Sequence, residues 1–181
     1  MYNQHIPAAP LSTVIKAATL LTCVILAVII AMGIFTGPRG VWIWPLSMVG
    51  MPVAILLLAP LFMVRGYVLE SDRLRIQRLG WSSSIDLRQV RDFYRDPEAM
   101  KGAWRLCGNG GFFCFSGYFR SKKLGNFRPF VTNPGHAVVI LTAEKTWVVS
   151  PRDPESLVTL LAERFGSPVR PGETPVQTPS M

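Results

Sequence analysis

Residues 41–64 read VWIWPLSMVGMPVAILLLAPLFMV, an uncharged run that stops at Arg65. At about 1.5 Å per residue, a helix of this length reaches about 36 Å, enough to cross a hydrocarbon core of about 30 Å with some tilt. Trp42 and Trp44 stand at one end, where amphipathic indoles favour a membrane interface. Toward the N-terminus, residues 17–35 (AATLLTCVILAVIIAMGIF) form a second uncharged run, with Lys16 at its edge where an ammonium reaches the headgroups. Its length exceeds the roughly 7–15 residues of a signal-peptide core, and another span follows at once, so a retained helix is expected. Residues 36–40, TGPRG, carry the Gly and Pro of a tight turn. The expectation for residues 11–65 is therefore a transmembrane α-helical hairpin. Residues 1–10, polar with two prolines, are expected to be a loose tail.

Details of the hairpin follow from the same runs. Ala27 and Ala31 in one span, and Gly50 and Ala54 in the other, repeat small residues at a spacing that permits close helix approach; ordinary membrane composition is the competing reading. Pro45, Pro52 and Pro60 should kink the second helix. No ionisable residue lies within either run, which argues against a transporter or channel. Lys16 flanks the first span, and Arg65, Arg73, Arg75 and Arg78 follow the second, against Arg39 alone in the turn. The positive-inside bias then puts both termini in the cytoplasm and the protein in the inner membrane as a multi-pass chain.

From Gly66 onward the period changes from helical to alternating. Residues 67–70 and 73–79 flank the turn pair Ser71-Asp72 and read as a hairpin. Residues 82–87 and the group Val90, Phe93 and Tyr94 give two more strands, and Asp96-Pro97 ends the second. Residues 98–111 are expected to be a long loop containing Trp104 and CGNGG. Residues 112–120 and 127–132 read as strands around a basic turn at 121–124, and 137–141 pairs with 146–150 as a hairpin. Asp153 as N-cap, Pro154 at the first helical position and Gly166 as the stop frame a helix over 154–165. Six or seven short strands and one amphipathic helix imply a mainly-β domain over 66–166, with two bent antiparallel sheets or a small barrel capped by that helix. Residues 167–181, rich in Pro and Thr, are expected to be a disordered tail.

The net charge is +8, yet every acidic residue lies at Glu70 or later and the domain mixes both signs, which suits a membrane-facing module better than a nucleic-acid binder. Cys23 reads as a small hydrophobe; Cys107 and Cys114 match no zinc-ligand spacing and read as unrelated thiols rather than a disulfide or a metal clip. His5 and His136 lack partners at ligand spacing, the serines lack a nucleophile elbow, and the third glycine of a dinucleotide loop would fall at Phe113. Asp92, Asp96 and Glu98 are expected on a solvated loop face rather than in acid–base chemistry. No catalytic residue, metal site or cofactor is expected, and an enzyme is the lowest-ranked reading.

YVLESDRLRI (67–76), IDLRQV (85–90), the Gly-rich aromatic stretch 108–118 and VVSPRDPE (148–155) resemble the membrane-anchored bacterial PH-domain proteins. The resemblance implies a pleckstrin-homology-like fold of two roughly orthogonal sheets with a C-terminal capping helix, and no shared catalytic residues. In eukaryotic PH domains the phosphoinositide site uses basic residues near the first hairpin. Here that region holds Arg73, Arg75 and Arg78, which alternation is expected to set on an outward sheet face. The expected function is a non-enzymatic, membrane-anchored interaction module for protein–protein association at the cytoplasmic face. The alternative is anionic lipid-headgroup binding by Arg120, Lys122, Lys123 and Arg128 around the basic turn, for which a solvated hairpin end competes. A sheet edge is a further route to a protein partner, and association with a second copy stays open.

Overall fold

The computed structural model describes residues 4–38 and 40–166. Arg39, which figured in the turn, and the expected tail at 167–181 lie outside these residues. The first apolar helix, Thr13–Phe35, starts at Ser12, whose side chain accepts the Ile15 N–H at 3.3 Å. The second, Ile43–Phe62, widens over Leu46–Gly50, is regular over Met51–Leu58 and tightens over Ala59–Phe62. Its ladder shifts beside Pro45, Pro52 and Pro60 because a proline withdraws a donor and crowds the preceding turn. Both helices are long and apolar enough to cross a membrane, and only 6% of the most apolar window of each is buried, unlike core helices.

These helices meet along one seam. The Trp44 indole N–H donates to the Gly33 carbonyl at 3.2 Å, and a Cβ on Gly33 would stand 2.7 Å from that of Met48. Close approach therefore depends on Gly33. At Gly50 the structure favours the competing reading, ordinary membrane composition: a Cβ there would meet first its own helix, at Leu46.

The domain begins before the helices. β1 (Gln4–Pro7), β2 (Gly66–Leu69), β3 (Arg73–Gln77) and β4 (Ser82–Asp86) make an antiparallel sheet in that order. Residues 4–7, expected in a loose tail, instead pair with β2, and Ile6 is buried. β5 (Val90–Arg95), β6 (Trp104–Gly110), β7 (Phe115–Ser121), β8 (Gly125–Val131), β9 (Val138–Thr142) and β10 (Thr146–Val149) form a second sheet ordered β5-β9-β10-β8-β7-β6. Two expectations fail in this sheet. The loop at 98–111 contains β6, an edge strand whose side chains are nearly all exposed, so no inward–outward alternation marks it. The sheet is also mixed: β10 runs parallel to β8, because residues 132–137 carry the chain past one strand position that β10 later fills. No ladder joins the two sheets, so the described residues form no closed barrel.

Side chains make the junction instead. The buried Tyr67 hydroxyl donates to the Phe130 carbonyl at 2.7 Å and accepts the Ser150 N–H at 3.0 Å. Ser150 Oγ accepts the Thr132 N–H, and Thr132 Oγ1 donates to the Ala9 carbonyl at 2.7 Å, so the N-terminal segment is tied into the same knot. The C-terminal helix, Pro154–Phe165, is capped by Asp153 as expected and inserts Leu157 and Leu161 between the sheets among Leu74, Ile85, Leu87 and Phe93. Burying each leucine is worth about 1.5–3 kcal/mol.

Candidate binding sites

Of the four basic residues expected to converge, the fold brings two together. Arg120, exposed at the end of β7, and Lys122 in the following turn line a shallow depression with Trp104, Leu106 and Gly125. Lys123 is held elsewhere: its ammonium bonds the Asp96 carboxylate at 2.6 Å, which raises its pKa through that hydrogen bond. Asp96 is itself buried and accepts the Glu98 N–H at 3.1 Å, so it braces a turn rather than lying on a solvated loop face. The neighbouring carboxylates are likewise engaged, Asp92 with the Phe93 N–H and Glu98 with Lys101.

Arg128 lies in β8 opposite in parity to the buried Phe127 and takes part in a different site. Its guanidinium carbon sits 4.7 Å from the Tyr118 ring centroid, 5.2 Å from Trp147 and 5.9 Å from Phe130. Arg78 approaches the same Phe130 ring at 4.8 Å and Trp81 at 5.7 Å. The expectation that Arg78 shares an outward face with Arg73 and Arg75 is wrong. Those two are exposed, but strict alternation gives Arg78 the parity of the buried Leu74 and Ile76. A turn closed by the Arg78 N–H on the Trp81 carbonyl (3.1 Å) follows directly. Burial draws the Arg78 guanidinium below its ordinary pKa, and Arg128 adds like-charge repulsion. The Nε atoms of both arginines are buried without a hydrogen-bond partner.

These arginines close one end of a cleft of about 550 Å³ between the sheet and the second apolar helix, which contributes Met51, Ala54, Leu58 and Phe62. Gly108 and Gly117 line it from the β6–β7 pair. At Gly117 φ is +128°, and a Cβ would lie 2.3 Å from the Cys107 carbonyl oxygen, so the two strands come this close only without side chains. The first helix is clasped beside it. Thr19 Oγ1 donates to the Gly111 carbonyl at 3.3 Å and accepts the Phe113 N–H at 3.1 Å. Phe62 meets Trp81 edge-on at 4.7 Å, and the Cys114 thiol, its pKa raised by burial, donates to the Phe62 carbonyl at 3.4 Å. Cys107 is exposed and free.

His136 Nδ1 lies 3.0 Å from the Arg152 carbonyl, and His5 is exposed on β1. Among the described residues no three His, Cys, Asp or Glu side chains gather into a metal-holding group. The arrangement offers cations, aromatic faces and an apolar wall.

No curated protein and no solved structure shows a match to the chain. The family model described as the bacterial PH domain matches residues 65–165, more than half of the sequence and the whole span from β2 to the C-terminal helix. Two sheets joined by a buried tyrosine, a capping helix and that match agree: the chain belongs to the bacterial PH domain family.

Proposed function

We propose that the protein is a non-enzymatic interaction module held in the inner membrane by its two apolar helices, with the domain and both termini on the cytoplasmic side, and that it recruits a protein partner along β6. The carrying observation is the open edge of that strand. Trp104 and Leu106 are 68% and 60% exposed there, a large apolar presentation for an unpaired edge. An extended segment added to this edge gains main-chain hydrogen bonds, apolar contact with both side chains, and attraction between its acidic residues and Arg120 or Lys122. Neither of these cations pairs with a carboxylate among the described residues. Six strand steps of about 3.3 Å put Trp104 about 20 Å from Gly110, at the end of β6 away from the clasp on Thr19.

The test is crosslinking in membranes with full-length protein as bait and mass spectrometry as readout. A recurrent partner that disappears when Trp104 and Leu106 are both changed to Asp supports the proposal. The same partner recovered undiminished from that variant refutes the β6 edge. A reporter fused after Met181 that is active only on the outer side refutes the orientation. The lipid alternative at 120–128 is weakened by Lys123 being bonded to Asp96 and Arg128 lying in the separate cleft.

A further inference from the structure

The two half-buried arginines pose a problem in chemistry. Each guanidinium carries five donors, and burying a cation without an anionic or hydrogen-bonding partner is costly. Aromatic rings on Tyr118, Phe130 and Trp147 offset part of that cost, but a ring face leaves an N–H unsatisfied. Neither Arg78 nor Arg128 forms an ion pair among the described residues, and each Nε is sealed from solvent without an acceptor. An anion in the cleft would neutralise both through guanidinium N–H groups other than these sealed Nε atoms.

What accompanies the anion follows from the rest of the wall. From the arginines the cleft runs along the second apolar helix from Phe62 to Met51. Eleven helical steps of about 1.5 Å cover about 16 Å, close to half of a hydrocarbon core of about 30 Å. This wall is apolar, belongs to a helix able to cross a membrane, and ends at the charged pair where the chain enters the β domain. The volume of about 550 Å³ falls within the usual range for ligand sites of about 300–1,000 Å³.

We infer that this cleft is a binding site for one anionic phospholipid of the adjoining leaflet, its phosphate held by Arg78 and Arg128 and an acyl chain laid along Met51, Ala54 and Leu58. A soluble phosphate would use the arginines and leave the apolar wall bare; the lipid uses both. The cleft touches β6 at Gly108 and Asn109 but not at Trp104 or Leu106, so the Trp104/Leu106 variant and the cleft variants test the two proposals independently.

The experiment takes full-length protein, delipidated in a neutral detergent, and measures lipid retention by native mass spectrometry. The probes are phosphatidylglycerol and phosphatidylcholine of identical acyl chains, and soluble glycerophosphate. Phosphatidylglycerol should be retained at least tenfold better than phosphatidylcholine, as one molecule per chain. Arg78→Gln with Arg128→Gln should lower that retention at least tenfold, whereas Arg73→Gln with Arg75→Gln, on the outward face, should leave it unchanged. Ala54→Phe, which fills the cleft with both arginines in place, should lower it as well, and it decides the matter if the double arginine variant does not fold. Equal retention of the two lipids overturns the inference, as does undiminished phosphatidylglycerol binding in Ala54→Phe. Glycerophosphate displacing the lipid at equal concentration also overturns it, by showing that the anion alone is recognised.

Discussion

Replacing Tyr67 with Phe removes one oxygen and tests how the two sheets are held. That hydroxyl is the acceptor for the Ser150 N–H and a donor to the Phe130 carbonyl, both buried. A buried polar group left without its partner costs about 1–3 kcal/mol. The Ser150 N–H loses its acceptor outright, whereas a carbonyl tolerates a missing partner better than an N–H does, so the lower half of the summed range applies, about 2–4 kcal/mol. With an unfolding entropy near 2.1 cal/mol/K per residue, a domain of about 100 residues loses about 5 °C in Tm per kcal/mol, or about 10–20 °C here. Thermal unfolding of the full chain in micelles, followed by the β-sheet circular dichroism signal, measures it. Tyr118→Phe is the control: its ring is half exposed and is retained, and the shift should stay under about 0.5 kcal/mol. A Tyr67→Phe loss below about 5 °C would refute the view that this hydroxyl locks the sheets together. Burial also raises the Tyr67 pKa well above the ordinary 10.0. Its contribution is therefore full below pH 10 and declines as alkali rises beyond it.

Leu161→Ala should destabilise the domain by about 2–5 kcal/mol, read as a lower denaturation midpoint with little change in slope, because the site is fully enclosed between the sheets. Asp86 is held down to about 2 mainly by its hydrogen bonds from Arg88; its carboxyl should titrate there by NMR and return toward 3.8 in Arg88→Ala. The depressed value means that whatever stability it lends is present above the ordinary carboxylate pKa and is lost as pH falls toward 2. Thr19→Val keeps the shape of the first helix but removes both clasp bonds, so amide exchange at Phe113 should quicken at least tenfold while β9 and β10 keep their protection; unchanged exchange at Phe113 would show that the clasp does not hold the loop.

Much of this was legible because the signals were local. Uncharged length marks the two apolar helices, and Asp153, Pro154 and Gly166 frame the C-terminal helix through capping chemistry confined to a few residues. The turn pair Ser71-Asp72 located the β2–β3 hairpin for the same reason. What escaped was set by distant partners. Residues 4–7 become a strand only because β2, some sixty positions away, offers an edge. β6 is exposed on both faces, so its pairing with β7 leaves no periodic trace. The basic residues around 120–128 are close in sequence, but strand parity and the Lys123–Asp96 bond send them to different places. Arg78 was legible in principle: counting by twos from Leu74 and Ile76 puts it on the inner side, and treating 73–79 as a strand with every arginine outward broke that count.

The pairing of β10 with β8 also sets an order on biogenesis. A ribosome delivers both apolar helices long before residue 146, so in the proposed membrane arrangement insertion would precede completion of the second sheet. Until β10 emerges, β8 has no neighbour on that side, and β9 cannot stand in for it because the finished sheet places β10 between them. Residues 4–7 can meet β2 early, but Ala9 waits for the last strand: its N–H bonds the Ser150 carbonyl, across nearly the whole domain in sequence. A nascent chain stalled before residue 146 should therefore be anchored yet protease-sensitive in β8, and resistance should appear only once the last strand has cleared the exit tunnel.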